Sequence, residues 1–116
     1  TPNVPAAYAG SAGYQAIVDI GVARIRERSQ ALTQLVVDAA IEHGIDILSP
    51  VDPARRGGHV TLDPGDAAHV HEELIRRGFL VDYRPGSGIR IGPHFFTTAD
   101  ECRAVIDEIE AIRSGR

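Results

Sequence analysis

Hydrophobic positions recur at helical spacing in two long segments of the chain. Between Gly21 and Gly44, apolar and small side chains fall three or four residues apart, the pattern of an amphipathic helix that buries one face. Gly44 ends this segment because glycine readily takes the left-handed conformation just past a last turn. The residues predicted to face the core are Val22, Ile25, Ser29, Leu32, Leu35, Val36 and Ala39.

A second segment of this kind follows Thr98 at the C-terminal end of the chain. The Thr98-x-x-Glu101 spacing is a capping box, in which side chain and backbone at a helix start satisfy each other's hydrogen bonds. Behind it, one face of the predicted helix carries only small or apolar side chains. These are Cys102, Val105, Ile106, Ile109 and Ile112.

Two weaker patterns predict further helices. Residues Val4 to Asp19 are mostly small and apolar, although Gly10 and Gly13 lower the helix propensity. The run 63–66 (Asp-Pro-Gly-Asp) predicts another helix start, with Asp63 as the cap and Pro64 at the first helical position. That helix is expected to end at Arg77-Gly78. Its predicted inward-facing residues are Ala67, Val70, Leu74 and Ile75.

Short segments bounded by glycine and proline predict the strands. They are Ile45 to Ser49, His59 to Leu62, Phe79 to Tyr83 and Ile89 to Ile91. A four-residue turn, 85–88, joins the last two and makes them an antiparallel hairpin. The order of elements predicts an α+β fold, a two-layer sandwich in which helices pack on one face of a small, mainly antiparallel sheet.

Composition limits the classes of function. The chain has 116 residues, enough for one domain, and a net charge of -4, which argues against nucleic-acid binding. No apolar run approaches the roughly 18 residues of a membrane span. The single cysteine fits a cytoplasmic protein. Since the chain contains no methionine and starts at Thr1-Pro2, we expect it to be part of a longer protein.

Most candidate chemical groups have a structural interpretation. The five histidines lack metal-ligand spacing, and His69 and His71, two apart on a predicted helix, point in different directions. We therefore interpret them as solvated or capping residues and predict no metal site. Cys102 lies on the apolar face of the last helix and is predicted to be a core residue rather than a nucleophile. No catalytic residue is predicted.

Arg90 is the exception. Ile89 and Ile91 must point to the same face of their strand, so Arg90 projects from the opposite face. From the pattern alone, a solvated arginine is the ordinary interpretation. A guanidinium is nevertheless well suited to hold a substrate carboxylate.

The chain also resembles a known family. Residues 78–84 (GFLVDYR) and 88–93 (GIRIGP) are similar to the C-terminal domain of kynureninase and its class V aminotransferase relatives. The run 55–58 (RRGG) before a strand, and Thr1-Pro2 before two helices, agree with this resemblance, which extends over essentially the whole chain.

The resemblance implies a fold-type-I pyridoxal-phosphate enzyme, a homodimer with active sites at the subunit interface. Residues 1–116 would be its C-terminal small domain, which closes over a large upstream domain that holds the cofactor. In that family the arginine that matches Arg90 binds the α-carboxylate of an amino-acid substrate. The threonine that matches Thr1 reaches the cofactor phosphate of the neighbouring subunit.

Two features limit this implied function. Kynureninases tend to continue with a Pro-x-Pro-Leu-Tyr-like run where residues 93–98 are PHFFTT here. This departure argues against hydrolysis of kynurenine itself, whereas transamination, desulfuration and epimerisation on the same scaffold stay open. All basic residues are arginine, and without lysine the chain cannot form the Schiff base that holds the cofactor. We expect the chain alone to be inactive. The alternative is a stand-alone α+β module for binding or dimerisation.

Overall fold

Three of the four helices described in this chain cover one face of a small antiparallel sheet. The structure is a computed structural model that describes residues 2–116. In chain order, its elements are α1 (Val4–Ile20), α2 (Val22–Glu42), β1 (Asp46–Ile47), a 3-10 turn (Pro53–Arg55), β2 (Val60–Asp63), α3 (Ala67–Arg76), β3 (Asp82–Arg84), β4 (Gly88–Ile91) and α4 (Ala99–Arg113). The predicted order of elements and the α+β class are confirmed.

The two long amphipathic segments form the helical layer as predicted. The capping box of α4 is present, with the Thr98 hydroxyl accepting from the Glu101 backbone N–H at 3.1 Å and the Glu101 carboxylate accepting from the Thr98 N–H at 3.0 Å. A cap of this kind contributes about 1 kcal/mol. All five residues predicted to face inward from α4 are buried, whereas Val22 of α2 is 70% exposed, contrary to the prediction.

The sheet has the strand order β1-β2-β4-β3, and every neighbouring pair is antiparallel. Its helical face is apolar, and Val60, Leu62 and Ile89 are completely buried there against α2, α3 and α4. The predicted hairpin is confirmed, although Gly88 pairs with Arg84 and shortens the predicted turn to residues 85–87. The opposite face of the sheet carries polar side chains and is not covered by these helices.

The predicted start of α3 is wrong. Strand β2 continues to Asp63, which pairs with Asp46 of β1, and α3 begins only at Ala67 with Asp66 at its cap position. The Asp63 carboxylate accepts instead from the Gly65 N–H at 3.0 Å, closing a turn that separates strand from helix. Ile75 at the other end of α3 is 42% exposed rather than inward-facing.

Strand β3 is also shorter and later than predicted. Residues 79–81 form the connection after α3, where Phe79 and Val81 are half-buried against the core and Leu80 is 91% exposed. The predicted strand 45–49 is reduced to Asp46–Ile47, although the Leu48 N–H still donates to the Thr61 carbonyl at 2.9 Å.

Helix α1 stands apart from the core. It has no buried residue, and its side chains Tyr8, Tyr14 and Val18 are more than 70% exposed. It contacts α2 at one end of a molecule measuring 49 × 29 × 25 Å. The radius of gyration of 16.1 Å exceeds the roughly 13 Å expected for a compact domain of this length because α1 projects outward.

Candidate functional site

Arg90 lies at the centre of the open face of the sheet. Strand β4 runs between β2 and β3, and Arg90 is opposite Thr61 on one side and Asp82 on the other. Its neighbours Ile89 and Ile91 are buried on the helical face, so the predicted orientation of Arg90 is confirmed. The Arg90 side chain is 36% exposed, so it is partly accessible to solvent on this open face.

One carboxylate holds this guanidinium. Arg90 Nη2 donates to Asp82 Oδ2 at 2.5 Å, and Arg84 Nε donates to the same oxygen at 2.9 Å. The three charged side chains therefore carry a net positive charge. The Nη1 and Nε donors of Arg90 have no hydrogen-bond partner among residues 2–116. Because a guanidinium offers paired donors in one plane, the remaining N–H groups suit a second carboxylate.

The electrostatics of the group keep Asp82 ionised. Partial burial raises the pKa of the Asp82 carboxyl, but the hydrogen bond from Arg90 and the charges of Arg84 and Arg90 outweigh burial and hold that pKa below its ordinary value of 3.8. At neutral pH the group is a fixed arrangement of two cations and one anion.

A second arginine, Arg56, is buried in the loop between β1 and β2. It is only 2% exposed, and its guanidinium donates to the Val51 carbonyl at 2.9 Å and to Gln34 Oε1 at 3.1 Å. Arg26 of α2 also stabilises this loop, because its Nη2 donates a hydrogen bond to the backbone carbonyl of Arg56 at 2.7 Å. Burial, and then the charge of Arg26, lower the pKa of Arg56. This loop was predicted only as a turn.

An open groove of 660 Å³ lies between the 78–81 connection, the segment after β4 and the first turns of α4. Cys102 and Val105 line its floor, and Phe96, 71% exposed, stands at its rim. Cys102 is 2% exposed, which confirms that it is a core residue. Burial, followed by the charge of Glu101, raises the pKa of the Cys102 thiol, so this group is a poor nucleophile.

The histidines do not come together. Within residues 2–116, no group of three His, Cys, Asp or Glu side chains is close enough to hold a metal ion. His94 is exposed and stacks on Phe96 with ring centroids 5.0 Å apart. His71 differs from the solvated or capping role predicted for it, since it is half-buried, stacks on Tyr83 and contacts the Val81 carbonyl at 3.2 Å.

Thr1, the second predicted site residue, lies outside the described residues. None of the helices in the described part of the chain combines the length and apolar character needed to cross a membrane.

Two residues of this region were missed from the sequence. The contact of Asp82 with Arg90 could be predicted only by knowing the register of the hairpin. These two residues are paired because the turn is confined to residues 85–87. The sequence did contain one signal for this register, which is Gly88. Because glycine readily adopts a positive φ, such as the 122° seen here, Gly88 can be the first residue of β4 and leave a shorter turn before it. For Arg56, nothing in the local pattern distinguishes it from the exposed Arg55 beside it.

Comparison with known proteins shows the family of the chain. The kynureninase C-terminal domain family matches residues 25–109 of the chain. A kynureninase of Geobacillus thermodenitrificans is 31% identical over 99 residues, 81% of this chain and 23% of its own length. An uncharacterized aminotransferase of Bacillus subtilis, YcbU, is 30% identical over 117 residues, which cover 96% of this chain and 30% of that protein.

The fold comparison extends over the whole chain. The apo structure of cysteine desulfurase from Thermococcus onnurineus NA1 superposes with a TM-score of 0.90 at 20% identity, covering 100% of this chain and 32% of that one. This chain therefore spans less than a third of the length of each of these three proteins.

The fold is thus the one expected for the C-terminal domain of fold-type-I pyridoxal-phosphate enzymes. Within that class, the chain belongs to the kynureninase C-terminal domain family.

Proposed function

We propose that residues 1–116 are the small domain of a pyridoxal-phosphate enzyme, and that Arg90 binds the α-carboxylate of its amino-acid substrate. The observation that carries this proposal is the position of Arg90 on the open face of the sheet, with donors left unpaired among residues 2–116. The hydrogen bond to Asp82 on the adjacent strand fixes part of the guanidinium geometry, and a carboxylate-binding residue gains from a fixed geometry.

The cofactor would be held elsewhere in the parent protein. Pyridoxal phosphate, when bound through a lysine, supplies an electron sink for chemistry at the α-carbon. This chain contains no lysine, so its own residues do not fit that role. Its contribution is carboxylate recognition and closure over the active site, and we expect it to be inactive alone. Thr1 would reach the cofactor phosphate of the neighbouring subunit of a homodimer.

The exposed helix α1 supports the presence of another domain. A helix of 17 residues whose single charged side chain is Asp19, and which buries none of its side chains, leaves a large apolar surface in water. In the parent we propose that the upstream large domain covers this helix. The same domain would face Arg90 across the open side of the sheet.

The reaction is less sharply defined than the substrate class. Relatives are named kynureninase and aminotransferase, so both hydrolysis and transamination of an amino acid fit the family. The segment after β4, where Pro93 is buried and Phe96 is exposed, departs from the kynureninase pattern and leaves the choice to experiment. A cytoplasmic location agrees with the free Cys102.

Titration with pyridoxal phosphate tests the proposed division of labour. The full-length protein and residues 1–116 are each mixed with the cofactor, and the visible absorbance of protein-bound cofactor is recorded. We expect a saturable spectrum from the full-length protein and none from the isolated domain. Stoichiometric binding by the isolated domain, or no binding by the full-length protein, would contradict the proposal.

The alternative is a stand-alone module that binds or dimerises without catalysis, which the exposed face of α1 favours. It predicts a tight dimer of residues 1–116 that dissociates when Tyr8, Tyr14 and Val18 are replaced by serine, in a gene that encodes no large upstream domain. Sedimentation of the unmodified chain and of this triple variant, together with the sequence of the gene, distinguishes the two functions.

A further inference from the structure

We propose that Asp82 is a positioning residue, which orients the Arg90 guanidinium so that its free donors face the substrate carboxylate. This inference rests on the proposed function of Arg90. Asp82 and Arg90 are direct partners across β3 and β4, and the contact uses Nη2 of Arg90 at 2.5 Å.

The need for such a residue follows from the surroundings of Arg90. A long arginine side chain on an open sheet face has many accessible rotamers, and fixing them at the moment of binding costs entropy. The described hydrogen bond to Asp82 fixes part of that freedom before the ligand arrives. On the other side of Arg90, the β2 partner is the neutral Thr61, which offers no competing charge.

Arg84 makes the arrangement compatible with an anionic ligand. A lone Asp82 beside Arg90 would neutralise it and repel a substrate carboxylate. Arg84 donates to the same Asp82 oxygen at 2.9 Å and so belongs to the same group. Since the group contains two arginines and one aspartate, it keeps a net positive charge. Asp82 can therefore orient the guanidinium without removing the electrostatic attraction for the ligand.

A double-mutant cycle in the full-length holoenzyme separates positioning from a structural role. The variants are Asp82→Asn, Arg90→Ala and the double variant, with Asp46→Asn as the matched control. Asp46 lies in β1, on the same sheet face but away from Arg90. The probes are L-alanine and L-alaninamide, which lacks the carboxylate, and the readout is the change in visible absorbance of the bound cofactor.

We expect Asp82→Asn to weaken L-alanine binding about tenfold, as removal of supporting residues around a ligand-binding group commonly does. Binding of L-alaninamide should not change, and Asp82→Asn should have no further effect once Arg90 is alanine. The Asp46→Asn control should bind both probes as the unmodified protein does. Asp82→Glu, which keeps the charge, should retain more affinity than Asp82→Asn and serves if the asparagine variant unfolds.

The positioning role would be overturned if Asp82→Asn weakened L-alanine binding equally in the presence and in the absence of Arg90. It would also be overturned if Asp82→Asn left L-alanine affinity unchanged while Arg90→Ala strongly weakened it. If Arg90→Ala itself leaves L-alanine affinity unchanged, the proposed function fails instead. An independent measurement then decides the role of Asp82. In NMR spectra of residues 1–116, exchange of the Arg90 Nη–H protons, one of which is bonded to Asp82, should accelerate in Asp82→Asn and not in Asp46→Asn. Equal exchange in the two variants would refute the orientation.

Discussion

Gly88 passes so close to Leu62 that a β carbon on the glycine would lie 2.3 Å from the Leu62 carbonyl oxygen. This close contact lies between the central strands β2 and β4, and Gly88 precedes Arg90 by two residues. Gly88 also has a φ of 122°, which side-chain-bearing residues rarely adopt. The position therefore requires glycine for two independent reasons.

Replacing Gly88 with alanine should strongly destabilise the domain. We expect the free energy of unfolding in urea to fall by at least about 3 kcal/mol, because the carbonyl of a central strand cannot move aside. Gly86→Ala is the control, since that site has a φ of 79° but open space around it, and should cost about 1 kcal/mol. Equal losses in the two variants would show that the approach to Leu62 is not the cause.

Arg56→Ala should destabilise the protein by about 2–4 kcal/mol, since the carbonyls of Pro50 and Val51 would lose their buried donor. The neighbouring Arg55 is exposed, and Arg55→Ala should change the free energy of unfolding by less than about 0.5 kcal/mol. Urea denaturation of the two variants makes the comparison. A loss below about 1 kcal/mol for Arg56→Ala would contradict the role assigned to the buried guanidinium.

The thiol of Cys102 should react slowly with an aromatic disulfide reagent. Its burial and raised pKa leave little accessible thiolate at neutral pH, so labelling must await local opening of α4. We expect a labelling rate at least about 100-fold below that of the urea-unfolded chain. Comparable rates in the folded and unfolded protein would mean that the groove above Cys102 admits the reagent directly.

The stability of the domain should fall in acid. Hydrogen bonds from the Thr98 backbone N–H and, to a lesser extent, from the Thr98 hydroxyl hold the pKa of Glu101 below its ordinary value of 4.5. A hydrogen bond from Arg76 likewise lowers the pKa of Glu73. A carboxyl whose pKa is lower when folded adds stability that is fully present above its unfolded pKa and is lost as the pH falls through its folded pKa. The free energy of unfolding should therefore decline as the pH falls below about 4.5.

Glu101→Gln tests this pH dependence at one residue, because glutamine keeps the capping geometry and removes the titrating charge. Its unfolding free energy should depend less steeply on pH below about 4.5 than that of the unmodified protein. Identical slopes for the two proteins would show that the capping carboxylate does not contribute to the acid transition.

The sequence predicted the helical layer better than the sheet, and the reason is physical. The periodicity of α4 and its capping box are local signals, and every residue predicted to face inward from that helix is buried. The boundaries of β1 and β3 depend on pairing with distant strands. The sequence could not indicate that pairing of Asp63 with Asp46 would outcompete a helix cap.

The candidate site was predictable only in part. The flanking Ile89 and Ile91 were enough to place Arg90 on the open face. Its partner Asp82 depended on hairpin register, and the burial of Arg56 depended on contacts with α2 more than 20 residues away in sequence. Both are tertiary relationships that a pattern along one segment does not contain.

The most direct test of the account is the affinity of the full-length holoenzyme for an amino acid when Arg90 is removed. We predict that Arg90→Ala raises the KM for the amino-acid substrate about 100-fold or more while the content of bound pyridoxal phosphate stays unchanged. Arg90→Lys should recover only part of this loss, because an ammonium cannot bind a carboxylate through two parallel N–H donors. Arg103→Ala, which removes an exposed arginine of α4 paired with Asp100, is the control and should match the unmodified enzyme. An unchanged KM for Arg90→Ala, with the enzyme fully loaded with cofactor, would contradict the carboxylate-binding role on which the account rests.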